Sequence, residues 1–148
     1  MTQRVAALPA ADGKCLCGAV RVRLEAPRGG ISLCHCDMCL RWGGGPYAGV
    51  SAERFAVEGE EHIATYRSSK WAERAFCTAC GSHLWFHFRP GDHRSFLAGL
   101  FDLPAGFAIE EQIFVDEKPA WYALDPDGER KTGAQVIAEA KAAGYDFG

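Results

Sequence analysis

From Gly18 to Glu25 the chain alternates strictly between apolar and charged positions. Val20, Val22 and Leu24 fall on one side, Arg21, Arg23 and Glu25 on the other. A period of two predicts a strand with one buried face. RFAVEG (54–59) and EHIATYRS (61–68) predict two further short strands with a tight turn near Gly59. RAFC (74–77) runs into a cysteine pair and SHLWFHF (82–88) runs out of it. Residues 86–100 predict a hairpin that turns at Pro90-Gly91. EQIFVDE (111–117) predicts another strand, and Asp125-Pro126-Asp127-Gly128 a turn. Only one helix is expected, near the end. Thr132 and Gln135 have capping-box spacing, Val136, Ile137 and Ala140 supply a modest apolar face, and Gly144 suits a stop. Trp85, Phe86, Phe88, Phe114, Trp121 and Tyr122 are expected in the core. Many short strands at close spacing predict a mainly β fold.

Length changes this picture little. The 148 residues predict one domain, read as a loose lead-in over 1–13 and a single folded unit over 14–148. The formal net charge of −3 and the absence of a Lys/Arg stripe argue against a nucleic-acid partner. No apolar run reaches the roughly 18 to 20 residues that a membrane helix needs. The opening MTQRVAALPAADGK lacks an apolar segment of signal-peptide type, so the chain is expected to be cytoplasmic.

The cysteines change it a great deal. All seven fall into three groups: Cys15-x-Cys17, Cys34-x-Cys36-x-x-Cys39 and Cys77-x-x-Cys80. In a reducing compartment disulfides are not expected. Gaps of one and two residues are what chelation needs, because a short loop must aim its sulfurs at one ion. Gly81 directly follows Cys80, and glycine tolerates the positive φ that such loops use. One pair offers two ligands and zinc takes four, so Cys15-Leu-Cys17-Gly18 is the natural complement of Cys77-Thr-Ala-Cys80-Gly81. Buried reduced thiols and a redox pair are the alternatives, and spacing alone permits other divisions of the seven.

Cys34, Cys36 and Cys39 then remain. Zinc sites with three protein ligands and one open position are the catalytic type. A zinc ion with three thiolates carries one net negative charge, and an incoming thiolate would complete a four-sulfur site. The competing reading closes the site with a histidine. His35 lies between two of the cysteines, but in an extended segment it points to the opposite face. His62, His83, His87 and His93 are the other candidates. Arg41 and Arg74 are expected either to offset negative charge at this site or to be solvated. Trp42 and Gly43-Gly44-Gly45 are read as a pocket wall or as an ordinary glycine-rich turn.

CLCGAVRV, CHCDMCLRWGG, YRSSKWAERAFCTACGSHLWF and IFVDEKPAW, in that order, resemble the glutathione-dependent formaldehyde-activating family, which includes centromere-protein-V-like zinc proteins. The resemblance runs from about Lys14 to Trp121 and implies a β-tent of small packed antiparallel sheets organised around a structural zinc, here with a short C-terminal helix. It implies two zinc ions per chain: a structural one on Cys15, Cys17, Cys77 and Cys80, and a catalytic one on Cys34, Cys36 and Cys39. The implied activity is that of a carbon–sulfur lyase, which condenses glutathione with formaldehyde to S-hydroxymethylglutathione and reverses the reaction. The implied partner is thus a small thiol such as glutathione. One departure stands out: Gln112 occupies a place where family members often carry histidine. The alternative function is a non-catalytic zinc module that binds a protein partner.

Overall fold

The computed structural model describes residues 8–124 and 129–147. The turn expected at 125–128 lies outside the described residues. Among the described residues, eleven strands form two sheets. The smaller sheet contains β1 (Ala11–Lys14), β2 (Arg21–Pro27) and β5 (Ala52–Glu58), in the order β1-β2-β5. The larger contains β3 (Gly30–Cys34), β4 (Tyr47–Val50), β6 (Ile63–Arg67), β7 (Ala72–Cys77), β8 (His83–Phe88), β9 (His93–Leu97), β10 (Ala108–Ile113) and β11 (Glu129–Lys131). Its order is β11-β10-β3-β4-β9-β8-β7-β6. Two helices complete the fold, α1 (Asp37–Gly43) and α2 (Gly133–Ala142).

The mainly β expectation holds, and the pairings are antiparallel except at β10, which runs parallel to both neighbours, β3 and β11. The alternating segment is β2. Val20, Val22 and Leu24 are 0, 2 and 0% exposed, and full burial of such a side chain contributes about 1.5 to 3 kcal/mol. They pack with Ala75, Cys77, Leu84, Trp85 and Phe96 of the larger sheet to form the main core between the sheets. Part of the segment read as a lead-in is ordered: Ala11–Lys14 pair with β2, and Leu8 N donates to Pro27 O.

The strands expected around Gly59 exist, but they do not pair. β5 belongs to the smaller sheet and β6 to the larger, so Gly59 is where the chain changes sheets. Its φ is +86°, and a Cβ there would lie 1.9 Å from the carbonyl oxygen of Ala19. The hairpin β8–β9 turns as expected at Pro90-Gly91, with Asp92 N donating to Arg89 O. The strand expected over 111–117 ends early, at Ile113. Phe114 takes a left-handed conformation (φ +56°), and Val115–Glu117 form a 3-10 turn. That turn serves both helices: Glu117 Oε1 accepts from Asp37 N of α1, and Asp116 Oδ1 accepts from Gly133 N of α2. α2 carries the expected capping box between Thr132 and Gln135.

Sheet alternation puts Cys77 and Arg74, three residues apart on β7, on opposite faces. Cys77 joins the main core. Arg74 faces away from it, toward a second apolar cluster of Cys36, Cys39 and Tyr47, with Cys34, Trp42, Phe86, Leu97 and Phe114 packed around them. The larger sheet therefore separates two cysteine centres, one on each face.

Candidate metal centres and active site

The first centre is built from two hairpin loops. In the β1–β2 loop, Cys15 N donates to Val20 O and Gly18 N to Cys15 O. The β7–β8 loop repeats the scheme, with Cys77 N donating to Ser82 O and Gly81 N to Cys77 O. Gly18 (φ +81°) and Gly81 (φ +77°) close the two turns, and a Cβ at either would meet nothing within 4 Å. Glycine is thus required there by torsion and not by space. Leu16 N donates to Ser82 Oγ and ties one loop to the other.

These loops bring Cys15, Cys17, Cys77 and Cys80 together, with all four sulfurs within 4.8 Å of one another. The separations are 3.6 Å for Cys15–Cys17 and 3.8 Å for Cys17–Cys77. A tetrahedral ion about 2.3 Å from each sulfur requires sulfur–sulfur spacings of about 3.8 Å. All seven cysteines are free, so neither centre holds a disulfide. The hydroxyl and then the backbone N–H of Ser82 draw the Cys80 thiol down to about 5, which favours the thiolate form that a metal takes.

The second centre sits where β3 runs into α1. Cys34 ends the strand, and Cys36 is the N-cap of the helix, its sulfur accepting from Cys39 N at 3.3 Å. A thiol therefore fills the place where Ser, Thr or Asp is usual. Sequence reasoning missed this helix. Asp37 in its first turn, Arg41 in its last and Gly44 (φ +83°) as its stop were the available signals. Gly43-Gly44-Gly45 are thus the end of a helix and the chain beyond it.

Cys34, Cys36 and Cys39 have all three sulfurs within 4.8 Å of one another. Among the described residues no histidine, aspartate or glutamate joins them at that spacing. His35 points away, as expected for its position, and both its nitrogens are engaged. Gln112 Nε2 donates to Leu124 O, which leaves Gln112 Oε1 to accept from His35 Nε2 at 2.8 Å. His35 Nδ1 then accepts from the Tyr122 hydroxyl at 2.6 Å. His35 is fully buried, and burial lowers its pKa, which keeps the ring neutral in this arrangement.

The two candidate arginines separate cleanly. The Arg41 side chain is 81% exposed and pairs with Asp37 one turn away. Arg74 is 2% exposed. Its Nη1 and Nη2 lie 3.6 and 3.5 Å from Cys39 Sγ, and its guanidinium lies over the rings of Trp42 and Phe86. Trp42 in turn stacks on His83, with ring centroids 3.7 Å apart and planes 9° apart. That stack joins α1 to the strand that leaves the first centre. The three thiols do not ionise alike. Cys36 is drawn down to about 2 by the neighbouring thiols of Cys34 and Cys39, whereas contact with Cys36 and then Cys39 pushes Cys34 far up. Cys34 is also the most exposed of the three. Trp121, expected in the core, is instead 70% exposed and rests against Tyr122. Phe86, Phe88, Phe114 and Tyr122 are half-buried, and Trp85 is buried.

Two sheets that hold a four-cysteine cluster between them and a three-cysteine cluster on the outer face define a mainly β protein with two centres able to hold metal ions. Comparison with known proteins places it further. A sequence model of the family described as glutathione-dependent formaldehyde-activating enzyme matches residues 10–117. An uncharacterized lyase of Schizosaccharomyces pombe is 34% identical over 119 residues, which cover 78% of this chain and 85% of that protein. A Halomonas elongata protein named "Putative glutathione-dependent formaldehyde-activating enzyme" is 37% identical over 84 residues, 50% of this chain and 54% of that one. The crystal structure of a Rhodobacter sphaeroides protein shares the fold at a TM-score of 0.53 and 24% identity, and covers 64% of this chain and 91% of that one. The chain belongs to the glutathione-dependent formaldehyde-activating family.

Proposed function

We propose that this protein is a zinc-dependent carbon–sulfur lyase and synthase that condenses a small thiol with an aldehyde, of the kind that yields S-hydroxymethylglutathione from glutathione and formaldehyde. The observation that carries the reading is the three-sulfur cluster of Cys34, Cys36 and Cys39, which no fourth side chain among the described residues closes. Family membership and the names of its relatives support the same activity. In this reading Cys15, Cys17, Cys77 and Cys80 hold a structural zinc, and residues 14–148 act as one zinc-binding domain.

A zinc ion on Cys34, Cys36 and Cys39 would supply Lewis acidity and favour the thiolate form of the substrate. The residues around it set the conditions. Cys36 and Cys39 are held in register by the first turn of α1, and the Glu117 carboxylate caps that turn. Trp42, Tyr47 and Phe86 exclude water from the buried side, which strengthens charge interactions there. Cys34 is half-buried, whereas Cys36 and Cys39 are buried. Arg74 supplies a fixed positive charge beside Cys39. In the synthetic direction the substrate sulfur bonds to the carbonyl carbon, the carbonyl π pair moves to oxygen, and the thiol proton ends on that oxygen. Nothing is oxidised or reduced, and no protein nucleophile is consumed.

The test is exchange spectroscopy on zinc-replete protein mixed with glutathione and formaldehyde. Interconversion of hydrated formaldehyde and the thiol adduct is expected to run faster than in protein-free buffer. Cys34→Ala is expected to abolish the acceleration and remove one of two zinc ions. Equal rates with and without the protein would sink the proposal.

A further inference from the structure

Arg74 presents a charge problem that the fold alone does not resolve. It is 2% exposed, yet it makes no ion pair with any carboxylate among the described residues. Its Nε is buried without a hydrogen-bond partner. An arginine keeps its charge even when buried, so a negative partner is required. The faces of Trp42 and Phe86 lie at 5.2 and 5.1 Å, but an aromatic quadrupole attracts a cation without supplying a counter-charge. The remaining neighbour is Cys39 Sγ, approached by both terminal nitrogens. The counter-charge of Arg74 is therefore the sulfur cluster itself.

We propose that Arg74 is a positioning residue that, with both terminal nitrogens held against Cys39 Sγ, reserves the remaining coordination position of the three-sulfur centre for an anionic sulfur ligand over a neutral one. The inference rests on the metal-binding reading of that centre. Three thiolates around a divalent ion leave one net negative charge, which repels a further thiolate and favours water or another neutral donor. Arg74 cancels that charge. An incoming thiolate then raises the local charge to one negative unit instead of two, while a neutral ligand gains nothing from the guanidinium. The same two hydrogen bonds draw electron density from Cys39 and make it a poorer nucleophile toward an aldehyde, so the protein's own sulfur is protected from the chemistry proposed for its substrate.

The test uses full-length protein loaded with cobalt(II), whose visible absorption reports the ligands of the metal. The Cys34→Ala spectrum is subtracted as background for the four-cysteine centre. Glutathione and, separately, imidazole are titrated into wild type, Arg74→Met and Arg74→Lys. Wild type is expected to bind thiol in clear preference to imidazole. In Arg74→Met the apparent thiol affinity is expected to fall roughly thirtyfold or more, with imidazole binding unchanged. Arg74→Lys, which keeps the charge and loses the fork, is expected to recover most of the preference. If Arg74→Met does not fold, Arg74→Gln takes its place, and cobalt retained at the four-cysteine centre serves as the folding control. Thiol affinity unchanged in the uncharged variant, or equal thiol and imidazole affinities in wild type, overturns the role of Arg74. A wild-type spectrum that no thiol perturbs overturns the open-site reading instead.

Discussion

His35 Nε2 donates to Gln112 Oε1 at 2.8 Å, between a residue flanked by two cysteines of the second centre and a residue at its back. Gln112 is 3% exposed and His35 fully buried. This pair anchors the cysteine segment from behind. Gln112→Leu removes the acceptor and leaves a buried N–H unpaired, at a cost of about 1 to 3 kcal/mol. The denaturation midpoint should fall accordingly, with metal content unchanged. A midpoint equal to that of wild type would show that water or a neighbouring group takes over the role of Gln112.

The two cysteine centres should respond differently to loss of a ligand. Cys80→Ala removes a sulfur that joins two sheets, and a structural zinc contributes about 10 to 16 kcal/mol in small zinc domains. Circular dichroism should show an unfolded or nearly unfolded chain. Cys36→Ala removes one sulfur of the three-cysteine cluster and a helix cap from an outer face, at a cap cost of about 1 kcal/mol. It should leave a folded protein with one metal ion fewer. Equal unfolding by both would argue that the second centre is structural too.

Two glycines separate torsional strain from collision. Gly81→Ala meets no atom within 4 Å and bears only the left-handed conformation, about 1 to 2 kcal/mol. Gly59→Ala bears that and also drives a Cβ to 1.9 Å from a backbone oxygen, which only a shift of the chain relieves. Denaturant titration should rank Gly59→Ala as clearly the less stable. The reverse order would mean that the Gly81 loop carries more than its torsion.

Lys131 predicts an alkaline limb. Its ion pair with Glu139 at 2.8 Å raises its pKa above the ordinary 10.5, with Glu111 and Glu129 adding to the effect. A raised folded pKa means that the contribution is complete below the unfolded value and is lost as pH rises through the folded one. Wild type should therefore lose more thermal stability than Lys131→Met when pH passes upward through about 10.5. Parallel pH curves for the two proteins would show that the network contributes nothing.

The sequence carried the cysteine grouping almost in full, because chelation by short loops leaves a mark that composition does not blur. It carried β2, the β8–β9 hairpin and α2, whose periodicity or capping is local. It did not carry α1, since seven residues are too few to show a period and the cap is a thiol already assigned to a metal. It also did not carry β3 and β4, four or five residues each, whose places are set by non-local pairing. The end of β10 was hidden too, because nothing near Phe114 announces a left-handed aromatic residue. Arg41 and Arg74 were indistinguishable until burial separated them. The available hint was parity: Arg74 lies an odd number of positions from Cys77 in a strand, so the two had to face different neighbourhoods.

The four-sulfur centre spans a long stretch of chain, with Cys17 and Cys77 sixty residues apart. A polypeptide leaves the ribosome N-terminus first at about 5 to 20 residues per second, so the first two sulfurs emerge on the order of 3 to 12 seconds before their partners. The smaller sheet waits as well, since β5 and the face it packs on are still to come. The Cys34–Cys39 segment spans only six positions and can meet an ion as soon as it clears the exit tunnel. If both clusters take up zinc as proposed, maturation has a built-in order, in which the near-contiguous sulfurs can bind early and the cluster that spans the sheets closes only after Cys77 and Cys80 emerge.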